Sequence, residues 1–146
     1  MLKKFILIGS LVILLMPLSS YAMSIEDRLA IQSVIVVEAT VAGVDPGMAI
    51  FLAAVESDFN PTARSKTSTA SGIFQWIRGS WNGICVKGLK IADEHSDVFD
   101  PVLNIRCAMQ TIAAGGISHW TADRNTRRKL FRAGFITEYG QLAYGN

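Results

Sequence analysis

Cysteine and histidine are scarce in this chain of 146 residues, which has two of each. Cys85 and Cys107 lie 22 positions apart, with neither Cys-x-x-Cys spacing nor a histidine beside them, which is a poor pattern for a metal site. His95 and His119 also lack ligand spacing and a nucleophile partner. The sequence therefore predicts no metal site and no cofactor.

The chain also lacks a hydrophobic run of full membrane-spanning length. The longest run, residues 5–18, has 14 residues and contains Pro17, whereas a helix that crosses a bilayer needs about 20. It follows two lysines and precedes a small-x-small cleavage pattern, as in a secretory signal peptide. We expect residues 1–22 to be a signal peptide and residues 23–146 to be an exported domain, periplasmic or extracellular, without a stable membrane span. An uncleaved membrane anchor is the alternative.

The expected mature domain has no excess charge of either sign. The formal charge of +2 comes from Lys3 and Lys4, because residues 23–146 contain 12 Lys and Arg against 12 Asp and Glu. Without a basic excess, bulk electrostatics gives no support for a nucleic-acid partner.

The two cysteines form an even pair in a chain that we expect to be exported. Oxidising compartments favour a disulfide between Cys85 and Cys107. Closing a loop of that length would stabilise the fold by roughly 3 kcal/mol. A buried pair of free thiols is the alternative.

The sequence shows no repeat, no low-complexity tract and no convincing β-hairpin, and helical signals dominate it. Ser24 with Asp27 resembles a capping box, and Gly43 predicts the end of that first helix. Asp-Pro pairs at 45–46 and 100–101 each predict a helix start, and Ser80 is a plausible cap for a further helix. The apolar stripe expected to bury the first helix is Ile25, Leu29, Ile31, Val34, Val37 and Val41. The predicted fold class is mainly α, in one compact domain.

Glu56 stands directly after eight consecutive apolar residues, 48–55. A helix that is apolar on nearly every side is normally buried at the centre of a domain. Burial and the partially negative end of the helix both raise the pKa of a carboxyl group. A carboxyl that remains protonated near neutral pH can act as a general acid.

Four blocks of sequence resemble the lytic transglycosylases, which are related to goose-type lysozyme. Residues 56–65 read Glu-Ser-Asp-Phe-Asn-Pro-Thr-Ala-Arg-Ser, and residues 71–75 read Ser-Gly-Ile-Phe-Gln. Residues 100–105 read Asp-Pro-Val-Leu-Asn-Ile, and residues 113–120 read Ala-Ala-Gly-Gly-Ile-Ser-His-Trp. The resemblance implies a lysozyme-like helical domain that cleaves the β-1,4 bond between N-acetylmuramic acid and N-acetylglucosamine in peptidoglycan, leaving 1,6-anhydro ends. Secretion, pilus or conjugation machinery is a candidate partner.

By this resemblance, Glu56 is the single catalytic acid and base. Three further positions correspond to substrate-binding residues of the family. Ser65 matches a serine that bonds the substrate, Gln75 a glutamine in the cleft, and Phe74 a hydrophobic wall beside the acid. A loop-capping role for Ser65 and a core role for Phe74 are the alternatives. Asn104 is expected to brace helices. The three tryptophans are as consistent with core packing as with stacking on sugars: Trp76, Trp81 and Trp120.

Two alternative functions stay open on the sequence. One is a hydrolytic muramidase, because the family's Ala-Tyr-Asn-Ala-Gly motif, whose tyrosine contacts the acid, has only a poor counterpart at residues 142–146. The other is a non-catalytic wall-binding scaffold. The basic run 124–132 is interpreted as a solvated helix face, and a docking surface for an anionic wall polymer or a secretion subunit is the alternative.

Overall fold

The computed structural model describes residues 23–143, so the predicted signal peptide and Tyr144 lie outside the described residues. Six α-helices occur within this range: α1 (Ile25–Ala42), α2 (Pro46–Ser57), α3 (Arg78–Ser80), α4 (Pro101–Ala113), α5 (Ser118–Thr121) and α6 (Arg124–Arg132). A π-helix (Trp81–Gly88) follows α3, and a 3-10 helix (His95–Phe99) precedes α4. Between residues 23 and 143 the only β structure is a few isolated bridges. The mainly-α prediction is therefore confirmed.

Most of the predicted helix ends are confirmed. Ser24 Oγ accepts a hydrogen bond from Asp27 N at 3.0 Å, and α1 ends at Gly43 with a φ of 74°. The Asp45 side chain caps α2 and the Asp100 side chain caps α4, each followed by proline in the first turn. Side-chain oxygens at these positions bond backbone N–H groups that have no partner inside the helix.

Ser80 does not cap a helix. Its backbone is already helical and its side chain makes no capping bond, because the chain coils from Arg78 onward. The prediction for this position was wrong.

The predicted buried stripe of α1 was also largely wrong. Ile25 is 77% exposed and Val41 81% exposed, and Leu29 and Val37 are also exposed. The buried line is Ile31, Ile35 and Ala39, spaced four residues apart, along which α1 packs on α2 and α4. Because α1 is apolar on most sides, its periodicity alone could not show which side faces the core.

The core holds α2 between the other helices. Leu52 and Ala53 of α2 are fully buried, as are Ile105 and Met109 of α4. The disulfide between Cys85 and Cys107 joins the π-helix to α4, as predicted. Within residues 23–143 no helix has the length and apolar character needed to cross a bilayer.

Candidate active site

Glu56 lies in the last turn of α2, where the helix ends abruptly. Asp58 and Phe59 both have positive φ values, 53° and 67°. Such values are unfavourable for residues with a Cβ and persist only where the surroundings hold them. Phe59 is buried, and both carboxylate oxygens of Asp58 accept hydrogen bonds of 2.7 Å from the guanidinium of Arg28 on α1. These contacts fix the chain reversal directly after Glu56.

The carboxyl group of Glu56 is half-buried and has one hydrogen-bond partner in the described residues. Thr126 Oγ1, from α6, donates to Glu56 Oε1 at 2.9 Å. Burial raises the pKa of Glu56 above its ordinary value, and the nearby Asp123 raises it further. The hydrogen bond from Thr126 and the charge of Lys129 act in the opposite direction but do not cancel the effect of burial on this pKa.

Thr126 is the site residue that sequence reasoning missed. Asp123 caps α6, and its Oδ1 accepts hydrogen bonds from the backbone N–H groups of Asn125 and Thr126 at 2.9 and 2.8 Å. Thr126 and Leu130, four positions apart, are the buried residues of this helix, five of whose nine residues are basic. Residues four apart lie on the same face of a helix, but Asn125 and Phe131 are also uncharged, so the sequence of α6 did not single out Thr126.

The segment after residue 62 folds back on itself and is tied to the helix that carries Glu56. Ser57 Oγ donates to the carbonyl of Ile73 at 2.7 Å. Asn104 Oδ1 accepts from Phe74 N at 3.0 Å, and Trp120 Nε1 donates to the carbonyl of Phe74 at 2.8 Å. Side chains from α2, α4 and α5 therefore hold two consecutive backbone positions of this segment. Asn104 is a structural brace, as expected.

Ser65 and Gln75 both lie on this folded segment. Ser65 Oγ accepts hydrogen bonds from the backbone N–H groups of Thr67 and Ser68, at 3.3 and 3.1 Å. Gln75 has a φ of 48°, and its Nε2 donates to the carbonyl of Gly72 at 2.8 Å. No hydrogen bond in the described residues joins either side chain to Glu56, and none engages Gln75 Oε1. Ser65 therefore caps the loop that follows it, which is the alternative that the sequence left open. Its hydroxyl proton and Gln75 Oε1 have no hydrogen-bond partner among the described residues.

Phe74 belongs to the core. Its side chain has no exposed surface and packs edge-on against Trp120, with ring centroids 6.2 Å apart. A side chain without exposed surface cannot contact a substrate, so the substrate-binding role expected for Phe74 was wrong. Phe74 can shape a cleft only by supporting the residues that line it. Trp76, Trp81 and Trp120 are likewise buried, which favours the core interpretation of all three tryptophans.

A cavity of about 600 Å³ lies beside the end of α2, but Glu56 does not line it. Its walls include Arg28, Ile31, Ser57, Asp58 and Pro61. It therefore opens between α1 and the turn after α2, apart from the Glu56–Thr126 contact. In residues 23–143 no group of three His, Cys, Asp or Glu side chains could hold a metal ion.

Comparison with known families gives a match to the transglycosylase SLT domain over residues 33–115, more than half of the chain. The match begins inside α1, ends after α4 and includes Glu56, Ser65 and Gln75, whereas Thr126 lies beyond it. Comparisons with curated proteins and with solved structures gave no match. The chain therefore belongs to the transglycosylase SLT domain family, whose members act on peptidoglycan outside the cytoplasm.

Proposed function

We propose that this protein is a lytic transglycosylase that uses Glu56 alone as acid and base. The observation that carries the proposal is the half-buried carboxyl group of Glu56 at the end of α2. It accepts a hydrogen bond from Thr126, and its pKa is raised. A general acid needs its proton at the pH of the reaction, and burial favours the protonated form. The expected export of the domain by residues 1–22 would bring it to its substrate.

The reaction would proceed in two proton transfers. Glu56 gives its proton to the glycosidic oxygen between N-acetylmuramic acid and N-acetylglucosamine, and the bond from that oxygen to the muramic C1 breaks. The electron pair leaves with the N-acetylglucosamine, and the substrate's own N-acetyl oxygen supports the positive charge at C1. The Glu56 carboxylate then takes the proton of the muramic C6 hydroxyl as O6 bonds to C1, which closes the 1,6-anhydro ring.

The other nearby carboxylates are already engaged, which supports a mechanism with one acid. Asp58 is exposed and forms an ion pair with Arg28 at 2.7 Å. Asp123 is used as the N-cap of α6. Most glycosidases place two carboxyl groups on either side of the bond, and substrate-assisted enzymes are the exception. The described residues fit the exception better.

Ser65 and Gln75 are the proposed substrate contacts. The Ser65 hydroxyl still has its proton to donate, and Gln75 Oε1 can accept from a sugar hydroxyl or amide. Both positions lie on the segment that Ser57 ties to α2, so a ligand held by them would share a rigid frame with Glu56. The proposal extends to peptidoglycan only, since no finding supports a secretion or conjugation partner.

The test is digestion of purified sacculi by the wild type and by Glu56→Gln, with the same substitution at the exposed Glu26, Glu26→Gln, as matched control. We expect Glu56→Gln to lose at least about 1000-fold in rate, since the substitution keeps the shape and removes the transferable proton. Glu26→Gln should keep the rate of the wild type.

The masses of the products separate the competing functions. Anhydro ends are lighter than reducing ends by one water, so reducing ends would identify a hydrolytic muramidase instead. Wild-type protein that binds sacculi and leaves them intact would refute catalysis and favour the scaffold.

A further inference from the structure

The outer face of α6 carries an unusual concentration of positive charge. Five of its nine residues are basic and none is acidic. The remainder of residues 23–146 has seven basic against twelve acidic residues. The net formal charge of residues 23–146 is therefore zero, although their positive charge is concentrated on α6.

Part of this placement is unfavourable for the helix. Arg124 and Arg128 lie four positions apart on one face, where like charges repel. Arg124 and Arg127 lie in the first turn, whose end is partially positive, whereas the two cations of the last turn are favourably placed. The two ion pairs found within residues 23–143 do not involve α6. A ligand of opposite charge would offset the repulsion between Arg124 and Arg128.

The basic residues line a groove. Its volume is about 230 Å³, and its walls are Arg124, Arg127, Arg128, Phe131 and Glu138. Three guanidinium groups outnumber the single carboxylate, and the half-exposed ring of Phe131 adds an apolar contact. Guanidinium groups bind carboxylates through two parallel hydrogen bonds, which makes a carboxylate-bearing peptide a suitable occupant.

Resting on the proposed function, we propose that this groove binds the carboxylates of the peptide stems that the glycan strand carries. The inner face of α6 contacts Glu56 through Thr126, and the next residue, Arg127, is a wall of the groove. Successive residues of a helix about 10–12 Å across are turned by about 100°, so the path over its surface from Thr126 to Arg127 is about 9–10 Å. A stem of four residues extends to about 14 Å. A stem attached to a sugar beside Glu56 is therefore long enough to reach the near wall of the groove.

The experiment compares two substrates prepared from the same sacculi, freed of teichoic acids. One is the peptide-bearing wall and the other is the glycan stripped of its stems by an amidase. The test variant is Arg124→Gln with Arg128→Gln. The matched control is Lys87→Gln with Lys90→Gln, which removes two exposed cations elsewhere.

We expect the wild type to prefer the peptide-bearing wall over the stripped glycan. The α6 variant should lose that preference, because its KM for the peptide-bearing wall should be about three to ten times higher. Added salt should raise the wild-type KM more than the variant's, because the contacts are exposed and screened. The lysine control should keep the preference. A wild type without preference, or an α6 variant that retains it, would overturn the inference.

Failure of the proposed function gives a different pattern. If the wild type cleaves neither substrate, catalysis is refuted, and co-sedimentation of each variant with the peptide-bearing wall, with the stripped glycan added as soluble competitor, still decides the inference. Retention on the wall that falls only in the α6 variant and resists the competitor in the wild type supports stem binding. Equal retention of all variants contradicts it.

Discussion

At the scale of single residues, Glu56 and Thr126 act as one unit. The threonine donates to Oε1, and the described residues offer Oε2 no partner, so the transferable proton belongs on Oε2. The bond also moderates the effect of burial on the acid, since it favours the ionised form.

The raised pKa of Glu56 predicts how stability depends on pH. Because the pKa is higher in the folded than in the unfolded chain, the unfolded state loses its proton first as the pH rises. The contribution of Glu56 to folding stability is therefore greatest below its unfolded pKa of about 4.3 and is lost as the pH rises through the folded value. Glu56→Gln, which does not titrate, should be more stable than the wild type at pH 7, and this gain should vanish near pH 4. Thermal unfolding at both pH values measures it, and an equal gain at both would contradict the raised pKa.

Removing the hydroxyl of Thr126 should move the pH profile. Thr126→Val keeps the shape and removes the bond that lowers the pKa of Glu56, so the falling limb of kcat/KM should shift to higher pH. The loss of one hydrogen bond, about 1 to 1.5 kcal/mol, corresponds to a rate about tenfold lower at the optimum. Thr126→Ser should restore both rate and profile. A profile that does not move in the valine variant would show that Thr126 only packs.

At the scale of elements, the segment at residues 72–76 depends on one glycine. Gly72 has a φ of 75°, and a Cβ there would overlap Asn104 Nδ2 and the carbonyl of Val98. Asn104 is completely buried, and its Nδ2 donates to that same carbonyl at 2.7 Å. Because the backbone of Gly72 lies so close to the side chain of Asn104, only glycine fits at this position.

Gly72→Ala should lower the free energy of unfolding by roughly 2–4 kcal/mol, because it adds a strained backbone and a clash with a buried amide. The matched control is Gly79→Ala in α3, where nothing lies within 4 Å of the added carbon. The control should be neutral or stabilising by up to about 1 kcal/mol. Urea unfolding compares the two, and an equally stable Gly72→Ala variant would refute the role assigned to this glycine.

At the scale of the whole molecule, one covalent link joins the π-helix to the rest of the core. Cys85 and Cys107 are fully buried, 22 residues apart in sequence. The bond limits the unfolded chain and so raises the free energy of unfolding.

Replacing both cysteines by alanine should lower the free energy of unfolding by about 3 kcal/mol. Reductant should lower the denaturation midpoint of the wild type and leave that of the double variant unchanged. A wild-type midpoint that does not respond to complete reduction would contradict the prediction.

The sequence by itself determined the helix starts at Ser24, Asp45 and Asp100, the cysteine pair, the fold class and the family. These follow from local rules: a capping side chain bonds backbone N–H groups two or three residues away, whatever the rest of the fold does. Glu56 could be selected because an apolar run led directly to it.

Only the tertiary structure decided which side of α1 is buried, that Phe74 and the three tryptophans pack inside, and that Thr126 contacts Glu56. Thr126 lies 70 residues from Glu56 along the chain, and no local pattern carries information over that separation. Likewise, α1 is apolar on several sides, so its neighbours α2 and α4 determine which side is buried. Contacts between distant segments depend on how the elements pack, and packing is a property of the whole folded chain.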